Sequence, residues 1–330
     1  MKFTTFVIKD RKEEGLMLGV LLDENSILHL NPAAALYLKE VEKEKKPYQS
    51  ASQLIPADMA AFLGQGAAAV DLARLTFKFI FPLWEQKQKK ALKGLRREAL
   101  VFPLSGIIRK APITRPGKIM AMGLNFHDHA LENKVPIPEI PVGFLKASSC
   151  VVGPDEAVAY PHSTKQLDYE IEMAIVIGRK GKDIPREKAY DYVAGYSIMN
   201  DLSARDIQHR EMQKRLLLLA KSLDGFGPLG PYLVTQDEIP DPHKLGMELW
   251  VNRESEPRQR SSTGQMIFKV PDLIAYWSQM TLEPGDIITS GTPGGVAFFR
   301  QPDPQAWFLK PGDVVEAKIE GLGTLRNSIL

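Results

Sequence analysis

Apolar and polar positions alternate in short runs at the start of the chain. Residues 3–9, 16–22 and 26–30 each read as a brief strand, rich in Val, Ile, Leu and Phe and closed by polar residues. Asn31-Pro32 reads as a helix start, with Asn as cap and Pro in the first turn. The spacing turns helical through 33–38. A second helical region covers about 56–83, interrupted near Gly64-Gln65-Gly66, and a third covers about 85–98. A strand at 99–103 follows. The turn-rich stretch Pro-Ile-Thr-Arg-Pro-Gly at 112–117 marks the expected boundary between a small accessory α+β domain, 1–112, and a larger domain, 113–330.

Beyond it, short β-rich runs alternate with Pro/Gly turns. They fall at 118–122, 144–150, 158–161, 169–178, 192–199, 229–235, 246–252, 286–290 and 313–319. The main helix there is expected over about 203–220, and another over about 270–280. Many short strands with few helices predict an α+β, mainly β, barrel or sandwich rather than a doubly wound sheet.

One run carries charge where a core strand would not. In Leu167-Asp-Tyr-Glu-Ile-Glu-Met-Ala-Ile-Val-Ile-Gly178, alternate residues share a face, so Asp168, Glu170 and Glu172 point one way. Carboxylates this close repel, and burying them unpaired is costly. A divalent cation removes both problems, and all-oxygen ligands suit Mg²⁺, Mn²⁺ or Ca²⁺ better than Zn²⁺. The alternative is an edge strand with a solvated acidic face.

Composition narrows the class. The 330 residues are 44% hydrophobic and 25% charged, which is ordinary for a globular protein. With 42 basic and 40 acidic residues the net charge is +2, which gives no electrostatic footprint for nucleic acid. The basic stretch 87–97 reads as a solvated helix face. A single cysteine, Cys150, rules out an internal disulfide and reads as a small core residue. The start of the chain is too soon charged for a signal peptide, and no apolar run reaches membrane-spanning length, so a cytoplasmic protein is expected.

Four further stretches hold candidate chemistry. In Asn125-Phe-His-Asp-His-Ala-Leu-Glu132, His129 and Glu132 are three apart and share a face on a helical turn. A carboxylate beside an imidazole makes a general base, with His127 and Asp128 as competitors; the same residues also suit a plain surface helix start. The Pro-rich 134–141 is a candidate lid. Asp201, in Asn200-Asp-Leu-Ser-Ala-Arg-Asp-Ile-Gln208, is either a helix cap or a third carboxylate for the cation. Arg205 and Gln208, three apart, suit a substrate carboxylate or oxygen, and Asp206 reads as structural. Lys221 either meets a helix dipole or binds an anionic substrate. Finally, Thr289-Ser-Gly-Thr-Pro-Gly-Gly-Val296 lacks the Lys of a nucleotide loop; it is a tight turn, or a nest in which backbone N–H groups and Thr292 hold a carboxylate.

Together these motifs, with Ala-Lys-Ser, Ile-Pro-Asp-Pro-His and Ser-Gly-Thr-Pro-Gly-Gly-Val, resemble the fumarylacetoacetate hydrolase superfamily from about Lys118 onward. The resemblance implies a mixed β-sandwich roll, a longer bacterial-type member, and commonly a homodimer. It implies Mg²⁺ or Mn²⁺ ligands at Glu170, Glu172 and Asp201, a water-activating pair at His129 and Glu132, and a charge-stabilising Lys221. Arg205, Gln208 and Thr292 would line the pocket. The expected reaction is C–C hydrolysis of a 2,4-dioxo acid such as an acylpyruvate, in aromatic or sugar-acid catabolism, through a metal-held enolate. The alternative is oxaloacetate decarboxylation, or isomerase or hydratase chemistry on a 2-oxo acid. The tail of the substrate is expected to be read by the lid and by residues 298–307.

Overall fold

The computed structural model describes residues 1–88 and 90–330. The first third holds β1 (Lys2–Ile8), β2 (Met17–Asp23), β3 (Ser26–His29), α1 (Leu30–Glu40), α2 (Pro47–Leu54), α3 (Met59–Gly64), α4 (Ala67–Gln86), β4 (Val101–Pro103) and β5 (Ile107–Lys110). Then come β6 (Ile119–Gly123), α5 (His127–Asn133), β7 (Val142–Lys146), β8 (Val151–Val152), β9 (Leu167–Asp168), β10 (Ile171–Ile177), β11 (Val193–Asn200), β12 (Ser203–Ala204), α6 (Arg205–Met212), α7 (Leu219–Ser222) and β13 (Gly227–Thr235). The chain ends with β14 (Gly246–Val251), β15 (Gln259–Ser262), α8 (Val270–Trp277), β16 (Ile287–Thr289), β17 (Val314–Ile319) and β18 (Gly323–Ser328).

The result is a mixed α+β fold dominated by sheet. The large sheet runs β4-β3-β2-β1-β13-β11-β10-β16-β6-β7, with β5 on β1 and β8 on β13. A four-stranded sheet, β15-β14-β17-β18, packs over β10, β11 and β13 to make a sandwich. β10 lies at its centre, between β11 and β16, and every residue from Ile171 to Ile177 is buried. A strand buried on both faces needs cover on both faces, and this arrangement supplies it. The solvated-edge reading of β10 is therefore excluded.

Antiparallel pairing of β1 with β13 carries the ladder on into the first third. The helices there cover β1–β3: Phe3 meets Phe62 at 5.4 Å between ring centroids. α4 buries Ala69, Leu72, Ala73, Thr76, Ile80 and Trp84, an apolar stripe at helical spacing.

Several expectations are corrected. Asn31 does not cap α1; it lies in the first turn and donates from Nδ2 to Ile55 O at 2.9 Å. The expected helix at 85–98 ends at Gln86, because Gln88 and Arg97 adopt left-handed backbone and the basic stretch offers no apolar stripe to bury. The helix expected at 203–220 breaks into α6 and α7, with Arg215 left-handed between them. Residues 158–161 contribute one bridge, Val158 to Ile329, rather than a strand.

Candidate active site and metal centre

The carboxylates converge because two neighbouring strands end together. Glu172 sits within β10 and Glu170 just before it; Asp201 directly follows β11. Ile171 pairs with Asn200, and Asp201 N donates to Glu170 O at 2.8 Å. Glu170, Glu172 and Asp201 are all buried, and ligand oxygens from the three lie within 4.8 Å of one another. Asp201 caps no helix, since Ala204 occupies the cap position of α6.

The surrounding charges are unevenly shared. Glu170 accepts from Arg205 at 2.6 Å and from Lys221 at 2.7 Å. Burial pushes its carboxyl up, but Lys221 and Arg205 outweigh that and hold it at about 2. Asp201 accepts from Lys146 at 2.6 Å and from Lys221 at 2.8 Å. Burial pulls the Lys221 ammonium down, yet Asp201 and Glu170 prevail and raise it. Glu172 differs. One oxygen accepts from Gly291 N at 3.1 Å, and buried Oε1 has no hydrogen-bond partner among the described residues. Burial, then Asp201 and Glu170, push its carboxyl well above the usual range.

Counting Asp168, four carboxylates face the three cations Lys146, Arg205 and Lys221, and among the described residues Glu172 is the one with no cation paired to it. An orphaned buried oxygen, a carboxyl without a paired cation and an all-oxygen donor set fit a hard divalent cation. The cluster can hold such an ion.

Arg205 is committed to the protein. Nε donates to Asp168 at 2.8 Å, Nη2 to Glu170 and Nη1 to Gln208 Oε1 at 2.8 Å. Gln208 is partly exposed, and Phe298 lies against the guanidinium, 5.8 Å from ring centroid to Cζ. Asp168 stands outside the triad and orients Arg205. Asp206 accepts from Thr164 and Lys165, a structural link.

On α5, His129 is buried and its Nδ1 lies 3.3 Å from Glu132 Oε2. A carboxylate there selects the Nδ1–H tautomer and leaves a lone pair on Nε2. The Phe299 ring packs edgewise at 5.9 Å. Of the competitors, His127 is exposed, and Asp128 accepts from Ser261 and Gly294 N.

The glycine-rich turn holds the protein's own carboxylates. Gly291 N serves Glu172, Gly294 N serves Asp128, Gly295 N serves Glu132 at 3.1 Å, and Ala297 N and Phe298 N serve Asp168 at 2.8 and 3.1 Å. Glycine is needed at 291 and 295, where φ is +80° and +100° and a Cβ would press on Asn125 and Arg258 O. Thr292 is buried; its hydroxyl donates to Ile171 O at 3.0 Å and accepts from Gln259 at 2.9 Å. Its one hydroxyl proton is therefore already used within the fold.

Lys146 is a site residue with no advance signal beyond its place at the end of an apolar strand. A cleft of about 1040 Å³ between α4 and the sheet is lined by Phe3, Val70, Arg74 and Tyr196 and contains none of these groups. Buried convergent charge, rather than volume, locates the chemistry. A shallower groove of about 520 Å³ borders α5 at His127, Asp128, Leu131 and Ser261. Among the described residues no helix is long and apolar enough to cross a membrane.

The chain is similar to several known proteins. Rat "oxaloacetate tautomerase Fahd2a, mitochondrial" is 43% identical over 277 residues, covering 84% of this chain and 80% of the rat protein. The fumarylacetoacetate hydrolase of Exiguobacterium antarcticum has 31% identity and a TM-score of 0.73, covering 100% of this chain and 99% of that one. Maleylpyruvate hydrolase from Sphingobium sp. SYK-6 has 25% identity and a TM-score of 0.71, over 100% and 99%. The family model described as "Fumarylacetoacetate (FAA) hydrolase C-terminal" matches residues 118–330. The chain belongs to the fumarylacetoacetate hydrolase family.

Proposed function

We propose that this chain is a divalent-metal-dependent enzyme of small 2-oxo acids that interconverts the enol and keto forms of oxaloacetate. The observation that carries the reading is a buried three-carboxylate cluster combined with a His129–Glu132 pair 3.3 Å apart. Glu170, Glu172 and Asp201 would hold Mg²⁺ or Mn²⁺, which would supply Lewis-acid polarisation of the 2-oxo acid. The chain's own residues move the proton. His129 takes it from the enol hydroxyl at Nε2 and returns it to carbon three, while Glu132 holds Nδ1–H and stabilises the imidazolium. Lys221 places positive charge beside the oxygen that turns negative. Arg205, Gln208 and Thr292 border the substrate side, Arg205 acting by charge and Thr292 by holding Ile171 and Gln259 in place. Residues 1–112 form an accessory domain, 134–141 a lid, and the active form is a homodimer.

Likeness to the rat tautomerase supports this reaction. Likeness to the two hydrolases favours a second reading, C–C hydrolysis of a 2,4-dioxo acid, in which the same pair takes its proton from water.

The test follows enol oxaloacetate with and without EDTA, then with Mg²⁺ or Mn²⁺ restored. Acylpyruvate cleavage and CO₂ release are measured alongside. Metal-restored tautomerisation exceeding both is expected. Metal-independent turnover, or acylpyruvate cleavage with no effect on enol oxaloacetate, overturns the reading. His129→Gln should lower turnover about a hundred- to ten-thousandfold, with metal binding by calorimetry unchanged.

A further inference from the structure

We propose that Asn133 is the resting-state cap of the His129 base, a positioning residue that substrate must displace. The proposal rests on the reading of His129 as the proton-transfer group. Asn133 closes α5, and its Nδ2 lies 3.1 Å from His129 Nε2 and 3.0 Å from His129 O.

The second contact fixes the amide. Its NH₂ group has two hydrogens, one for each of these acceptors, whereas a carbonyl oxygen at that position would face a carbonyl and a lone pair. Both ring nitrogens of His129 are then occupied. Glu132 accepts from Nδ1–H, and Asn133 donates to Nε2. The nitrogen that must accept a proton is covered by a donor from its own helix, and the Asn133 nitrogen marks where a substrate O–H would sit.

The cap is placed to move. Lys134 follows in left-handed conformation at φ 54°, and the irregular segment 134–141 begins there. Displacing Asn133 therefore needs only the last residue of α5 to swing, while Glu132 stays tied to Gly295 N. A base held this way takes up no proton from passing water, and accepts one when a substrate donor replaces the amide.

The test uses full-length, Mg²⁺-loaded protein. In ¹⁵N spectra of the imidazole, assigned by loss of the signal in His129→Gln, the wild type should show a protonated Nδ1 and a hydrogen-bonded, unprotonated Nε2. Asn133→Ala should shift Nε2 towards the free-nitrogen position and raise kcat/KM about two- to tenfold through a lower KM, the range of one net hydrogen bond. Asn133→Asp, nearly isosteric, should draw a proton onto Nε2 and lower kcat at least about a hundredfold, with the melting temperature retained. An Nε2 signal unchanged in both variants overturns the cap, as does a folded Asn133→Ala protein with lower kcat/KM. If oxaloacetate is not the substrate, the kinetic arm fails for the wild type too, and the spectra still decide whether Asn133 caps Nε2.

Discussion

Lys146 Nζ lies 2.6 Å from Asp201 Oδ1, with both side chains sealed from solvent. The same ammonium donates to Lys221 O. Lys146 thus braces both the carboxylate and the segment bearing the second lysine. Truncating one partner of a buried ion pair strands the other, at a cost of roughly 3–5 kcal/mol. Lys146→Met should lower the melting temperature in EDTA. Mg²⁺ should restore more of that loss than it adds to the wild type, because an added cation replaces the missing charge. Equal stabilisation of both proteins by Mg²⁺ would separate Lys146 from the cation site.

Glu170 and Glu172 are two residues apart and should respond oppositely to neutralisation. Glu170 balances Arg205 and Lys221, so Glu170→Gln leaves buried cations short of charge and should destabilise by about 3 kcal/mol. Glu172 has no cationic contact among these pairs and an orphaned oxygen. Glu172→Gln should keep or raise the melting temperature in EDTA while abolishing stabilisation by Mg²⁺. Thermal melts of both variants, with and without the ion, check the contrast. Similar losses in EDTA would show that the two sites share one environment.

Far from the site, His29 packs against Phe6 and Phe102, and burial lowers it to about 4, only partly offset by Glu98. The unfolded chain protonates His29 near 6.5, so between about 6.5 and 4 the unfolded state binds the extra proton. Stability is present above 6.5 and falls as pH drops towards 4, by no more than about 3 kcal/mol from this group. Denaturant titrations at pH 7 and pH 4 should show a smaller difference for His29→Phe than for the wild type. Identical pH dependence in the two proteins would exclude His29 as the source.

What was legible in the sequence follows from how locally each feature is encoded. Glu170 and Glu172 stand out because charge breaks into an apolar run, and His129 with Glu132 because helical spacing pairs them. Asp201 joins them through strand register, which no single segment displays. Lys146 was invisible for the same reason: one lysine ending a strand looks solvated until β7 is placed. The main-chain donors of residues 291–298 carry no side-chain signature, so the sequence left open a tight turn or a carboxylate nest, and which carboxylates it would serve, four of the protein's own, could not be read. The helices misjudged at 85–98 and 203–220 have good local propensity but lack a continuous apolar stripe, and packing decided against them.

That eight-residue turn ties the His129–Glu132 pair and the carboxylate cluster to one piece of backbone. Their spacing is set by amide groups that side-chain replacement leaves in place. The neighbouring segment from Phe298 through Trp307 can therefore change while the two groups keep their separation. A scaffold built like this invites changes of diet without a change of machinery.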